Sequence, residues 1–120
     1  MKKYIVIKAD TNDGDYITEK TLVTDKQLEI ITPVIKAIKK FKPYEGVWKC
    51  GNFESKMIHS HNFPIGEQCR DDMGEKTTDE LYAHLKGYNS FLKMVPYNEY
   101  GIHTIKEVTV LVIEEETKLL

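Results

Sequence analysis

Tyr4-Ile5-Val6-Ile7-Lys8-Ala9 and Tyr16-Ile17-Thr18-Glu19-Lys20-Thr21-Leu22-Val23, with Asp10-Thr11-Asn12-Asp13-Gly14-Asp15 between them, decide the fold class. Both flanking stretches are rich in β-branched and aromatic residues, and the linking stretch holds the Asp13-Gly14 pair that tight turns favour. This is the pattern of a β-hairpin. Directly after it, Thr24 offers an N-cap with Gln27 three residues on, and Leu28, Ile31, Ile35 and Ile38 recur on one helical face. A first helix is therefore expected from about Asp25 to Phe41. Pro33 falls inside it, where it removes one backbone hydrogen bond and crowds the preceding turn at a cost of about 3 kcal/mol. The expectation is a kink, or a short helix followed by a longer one that starts at Thr32-Pro33. Lys36, Lys39, Lys40 and Lys42 gather at the C-terminal end, where cations complement the helix dipole, and read as a solvated face rather than a phosphate-binding strip.

At the far end of the chain, Ile102 to Ile113 reads as a strand with one very apolar end, Val108, Val110 and Val112 alternating against Ile105, Leu111 and Ile113. Before it, Thr77 opens a second capping box with Glu80, and Leu81, Leu85, Tyr88, Leu92 and Val95 recur at helical intervals up to Pro96, with Gly87 dividing the helical stretch. From Lys42 to Lys76 the periodicity fades, and Pro43, Gly46, Gly51, Pro64, Gly66 and Gly74 interrupt the chain. Val47 to Cys50 and Lys56 to His59 read as short strands within this long irregular middle segment, which is the first place to look for a site. The expected architecture is a single α+β domain over residues 1–120. Its antiparallel sheet combines the N-terminal hairpin, the C-terminal strand and at most one middle strand, covered on one face by two helices.

Composition agrees with an ordinary soluble globular domain that needs neither disulfides nor metal to fold: 120 residues, 41% hydrophobic and 30% charged. A net charge of −2 gives no strong nucleic-acid signal, because such binding is supplied mainly by Lys and Arg against phosphates. Met1-Lys2-Lys3 precedes an apolar run that ends at Lys8, too short for a signal peptide, and no stretch approaches a membrane span. Two cysteines do not make a secreted disulfide framework, so the expected location is cytoplasmic. Sixteen of the seventeen basic residues are lysine, with Arg70 the single arginine. Together with abundant Ile, Asn and Tyr this points to an AT-rich genome rather than to a chemistry.

Cys50, His59, His61 and Cys69 are the candidate metal ligands, in the spacing C-x8-H-x-H-x7-C. Four such ligands could hold Zn²⁺ tetrahedrally, though the spacing matches neither the short Cys knuckle nor the helical His pair of zinc signatures. The alternative is that the cysteines are small buried apolar residues and the histidines are surface or hydrogen-bonded groups. Asp10, Asn12, Asp13 and Asp15 resemble the start of a calcium loop, but the glycine falls one place early and Thr21 stands where the bidentate Glu belongs. A solvated hairpin turn is the preferred reading. Arg70 has the planar fork for bidentate capture of an anion, with an internal salt bridge as its alternative. His59, His61, His84 and His103 titrate in the range useful for acid–base work, yet no Ser or Cys sits in an activating context, so no catalytic residue is assigned. Trp48, Phe53, Phe63, Tyr97 and Tyr100 flank the turns and could form a stacking platform, a hot spot for a protein partner, or simply core.

His61-Asn-Phe-Pro-Ile-Gly-Glu-Gln-Cys-Arg-Asp-Asp-Met-Gly-Glu-Lys76 and Pro96-Tyr-Asn-Glu-Tyr-Gly-Ile-His-Thr-Ile105 resemble segments of small uncharacterised phage and prophage proteins of low-GC bacteria. The resemblance carries no activity and no catalytic residues. It implies a non-enzymatic binder of a host factor, including the inhibitors of antiviral defence. The functional expectation is a cytoplasmic binding protein of phage type that contacts a host protein or a small anionic ligand through Trp48, His59, His61, Arg70, Tyr97, Tyr100 and His103. The rival is a small metal- or histidine-dependent enzyme acting on a phosphorylated or nucleotide substrate. The sequence does not give the oligomeric state.

Overall fold

Among the described residues seven elements follow one another: β1 (Lys2–Thr11), β2 (Tyr16–Val23), α1 (Asp25–Lys39), β3 (Tyr44–Cys50), β4 (Phe53–His59), α2 (Tyr88–Leu92) and β5 (Ile102–Ile113). The computed structural model describes residues 2–41, 62–63 and 81–114, and the backbone alone of 44–50 and 53–59. The fold is α+β. β1 is the central strand of a three-stranded antiparallel sheet in the order β2-β1-β5, and β3 and β4 form a separate antiparallel pair.

The period of two along β1 sets this layout. Ile5, Ile7 and Ala9 are fully buried on one face, while Tyr4, Val6 and Lys8 alternate with them on the other, half-buried. β2 runs beside it in unbroken register from Lys3 opposite Val23 to Asp10 opposite Tyr16. β5 takes the other side from Lys2 opposite Ile113 to Thr11 opposite Ile102, with two register shifts that leave Lys106 and His103 as extra residues. Those bulges let Ile105 and Ile102 both face the core although three positions separate them, a spacing that strict alternation forbids.

α1 covers the Ile5–Ile7–Ala9 face with Ile31, Val34 and Ile38, all buried. Its start is the expected capping box: the Thr24 hydroxyl accepts from the Gln27 N–H at 3.1 Å, and the Thr24 N–H donates to Gln27 Oε1 at 2.8 Å. Lys3 Nζ ties the same end to the sheet through Asp25 at 2.6 Å. The helix ends at Lys39 rather than Phe41, and it is one continuous element through Pro33. Pro33 and Glu29, whose carbonyl loses its usual donor, are both on the exposed side, so water can replace the missing bond.

The Thr77 and Glu80 capping pair lies outside the described residues, and from Leu81 onward the helical stretch is interrupted where its apolar spacing predicts continuity. Leu81 and Tyr82 are helical, turns follow, and α2 restarts only after Gly87, whose φ of 100° lies in the left-handed region. Gly87 thus divides the stretch as expected. Buried Tyr88 and Phe91 from α2 meet Phe63, whose ring lies edge-on to Phe91 at 5.9 Å and stacked on Tyr82 at 6.1 Å between centroids. The Tyr82 hydroxyl donates to the Asn62 carbonyl at 2.7 Å, and burial raises its pKa above the ordinary phenol value. Among the described residues no helix is long and apolar enough to cross a membrane.

Candidate functional site

Two turns meet at one end of the sheet. The first is the hairpin loop, which Thr11 organises from a buried position: its N–H donates to the Asp15 carbonyl at 2.9 Å, its hydroxyl accepts from the Asp15 N–H at 2.9 Å, and the same hydroxyl donates to Asp13. The second turn runs from Pro96 to Gly101. Asn98 closes it, its Oδ1 accepting from the Tyr100 N–H at 2.9 Å and its carbonyl accepting from the Gly101 N–H at 3.0 Å. Asn12 then clamps the turns together, its N–H donating to the Gly101 carbonyl at 3.1 Å and its Nδ2 to the Tyr100 carbonyl at 2.6 Å.

This scaffold displays aromatic side chains instead of burying them. Tyr97 is 89% exposed and Tyr100 and Tyr16 are about half exposed, whereas Pro96 and Ile102 on either side are buried. Beside Tyr97 lies an open cleft of about 450 Å³ with apolar walls from Leu92, Val95, Pro96 and Ile102 and a polar edge of Asn98 and Glu99. Glu99 is exposed at its edge, and Asp13 and Asp15 of the hairpin loop are exposed as well. The Thr11 hydroxyl holds the Asp13 carboxyl below its usual pKa, so it remains ionised well into acid. Lys106 in turn is engaged by Asp10 at 3.3 Å. An apolar cleft edged by Glu99 beside the exposed Tyr97 suits an apolar anchor flanked by positive charge.

His103 sits on the β5 bulge behind this turn, half-buried, with Nδ1 2.7 Å from the Thr104 hydroxyl. Burial lowers its pKa below the ordinary imidazole value, Lys106 adds to the effect and Asp10 opposes it. Of the residues singled out in the sequence, Tyr97, Tyr100 and His103 therefore share one end of the molecule, together with the acidic hairpin loop that resembled a calcium site. In that loop the Thr11 hydroxyl engages Asp13 and Lys106 engages Asp10, while Asp13 and Asp15 are exposed.

Trp48, Cys50 and His59 belong to the β3–β4 pair, where Trp48 stands opposite Ser55. Cys50 lies opposite Phe53 at the closed end and His59 opposite Tyr44 at the open end. Six residues of strand separate those ends, about 20 Å at 3.3–3.4 Å per residue, so a mononuclear zinc site can use Cys50 or His59 but not both. His61, Cys69 and Arg70 lie outside the described residues. Among the described residues no three His, Cys, Asp or Glu side chains gather in a way that could hold a metal ion. Sequence reasoning missed two organising residues, Asn12 and Asn62, because their bonds reach Tyr100 and Ile105 across the chain and leave no local pattern. No family model, no curated protein and no solved structure matches this chain.

Proposed function

We propose that the protein is a non-enzymatic binding protein whose contact surface is the paired turn formed by Thr11–Asp15 and Pro96–His103. The observation that carries this reading is Tyr97, a large amphipathic ring held 89% in solvent beside an apolar cleft by a turn that hydrogen bonds fix from both sides. A rigid backbone removes much of the ordering cost that a flexible loop would meet on association. Tyrosines so displayed are frequent energetic centres of interfaces. The acidic surroundings favour a protein partner that presents an apolar side chain beside Lys or Arg. Following the resemblance of Pro96–Ile105 to phage and prophage segments, that partner is a host protein, and the binding protein acts by occupying it in the cytoplasm as an inhibitor of a host factor or of antiviral defence.

The test is capture of a partner from host lysate by the tagged chain, compared with Tyr97→Ala and Tyr100→Ala. Loss of one specific band in the Tyr97 variant, with unchanged thermal unfolding, supports the reading. The same bands in all three captures, or none in any, overturns it. The interaction should also weaken as salt rises, because the acidic Glu99 borders the cleft.

A further inference from the structure

Asp13-Gly14 is the one Asp-Gly pair of the sequence, which has no Asn-Gly pair, and it sits exposed in the hairpin loop. Such a pair can react with itself. In a flexible chain the Gly14 nitrogen attacks Cγ of Asp13, a hydroxyl leaves the carboxyl group as water, and a five-membered succinimide closes. Glycine permits this readily because it has no Cβ to obstruct the ring and leaves the backbone free to reach it. Water then opens the ring at one carbonyl or the other. One opening returns aspartate, and the other gives isoaspartate, in which the main chain runs through the side-chain methylene. One water is released and one is taken up, so the mass is unchanged. Ring closure makes two demands: the carboxyl group must be in its neutral form, because an ionised carboxylate is a poor electrophile, and the Gly14 nitrogen must give up its proton.

The hairpin opposes both demands through one residue. The Gly14 N–H donates to the Thr11 carbonyl at 3.2 Å, which commits the attacking nitrogen to a backbone partner. The Asp13 carboxylate accepts from the Thr11 hydroxyl, and that bond favours the ionised form over the neutral one. Thr11 is itself fixed: it is 4% exposed, and it holds the Asp15 N–H and the Asp15 carbonyl, each at 2.9 Å. We propose that Asp13-Gly14 is an isoaspartate-forming site that the fold holds closed, with Thr11 as the positioning residue that guards it. Modification then belongs to the chain whose hairpin is open, before folding or after local unfolding. Its effect reaches beyond the loop. Isoaspartate lengthens the backbone by one carbon immediately after Asn12, whose N–H and side-chain amide hold the Gly101 and Tyr100 carbonyls, so the clamp on the Pro96–Gly101 turn is displaced. The chemistry is that of the loop alone and does not depend on what the Tyr97 turn binds.

The test is ageing of the purified intact chain at about pH 6, where part of an ordinary carboxylate population is still protonated. Isoaspartate is read by enzymatic methyl labelling and placed by peptide mapping. The chain in urea should form isoaspartate at position 13 at least about tenfold faster than the folded chain, because both Thr11 bonds are then lost. Folded Thr11→Val keeps the size of the side chain without its hydroxyl, and should exceed the parent rate at least about threefold. Thr11→Ser keeps the hydroxyl and should stay near the parent rate. Asp13→Glu should abolish labelling at this position, since its longer side chain would have to close a six-membered ring. The urea comparison needs no substitution, so it decides the matter even if Thr11→Val unfolds. Equal rates for the folded and the urea-treated parent, a folded Thr11→Val that ages like the parent, or a Thr11→Ser that ages like Thr11→Val overturns the proposal.

Discussion

Asn62 satisfies both backbone groups of Ile105 with one side chain: its Nδ2 donates to the Ile105 carbonyl at 3.3 Å, and its Oδ1 accepts from the Ile105 N–H at 2.9 Å. The amide thus takes the place of a fourth strand at that point of the sheet, and its own carbonyl receives the Tyr82 hydroxyl. Asn62→Ala leaves buried Ile105 with a donor and an acceptor unpaired. The expected loss is about 1–3 kcal/mol in denaturant-induced unfolding, with the m-value unchanged. Asn62→Asp keeps the acceptor only and should fall between the two.

Gly87 and Gly14 both have positive φ, but their surroundings differ. A Cβ on Gly87 would lie 2.2 Å from the Ile30 carbonyl oxygen of α1, whereas one on Gly14 would meet nothing within 4 Å. Gly14→Ala should therefore cost about 1–2 kcal/mol, the conformational term alone. Gly87→Ala adds the separation of α2 from α1 and should cost at least about 1–3 kcal/mol more. Equal melting temperatures for the two variants would refute the close approach of the helices.

Stability should fall as the pH drops past about 6.5, the imidazole value of an unfolded chain. His103 has a lower pKa in the folded protein, chiefly through burial, so over this range the unfolded state binds more protons and is favoured as pH falls. His103→Gln should flatten the melting temperature between about pH 7 and pH 5. Asp13 acts at lower pH. Its folded pKa is depressed by the Thr11 hydroxyl, so its contribution is present above the ordinary carboxylate range and disappears as pH falls through the folded value.

Chelation should leave the melting temperature unchanged, because the core is assembled from Ile5, Ile7, Ile31, Val34, Phe63 and Phe91 without recourse to ligating side chains. A structural zinc contributes on the order of 10 kcal/mol, so its removal would abolish the thermal transition. Zinc analysis of the purified chain together with EDTA titration decides the matter, and one tightly held zinc per chain would refute the prediction.

The parts of the fold that were legible in the sequence are those governed by local rules. The Tyr4–Val23 hairpin, the Thr24/Gln27 cap and the Ile102–Ile113 strand all follow from period, turn chemistry and capping. The short α2 was not legible, because Leu81, Leu85 and Leu92 keep helical spacing through a segment that Gly87 and tertiary contacts bend into turns. The middle segment holds a longer hairpin than its two short apolar runs announced, since backbone pairing between Tyr44–Cys50 and Phe53–His59 does not require an apolar face. At the candidate site the tyrosines stood out by their position beside Pro96 and Gly101. Their exposure did not, because it depends on Asn12, a residue eighty-eight positions from Tyr100.

The position of β1 at the centre of the sheet sets an order of events during synthesis. Its β2 neighbour emerges within a few residues, but β5 does not exist until everything from Asn12 to Gly101 has left the ribosome. At about 5–20 residues per second the nascent chain holds Ile5 and Ile7 beside an unclaimed backbone edge for several seconds. In that interval the hairpin is a sticky ribbon, and the antiparallel partner it awaits is the last strand of the sheet to be made. Folding of this chain should accordingly be more vulnerable to crowding by its own nascent copies than its finished stability would suggest.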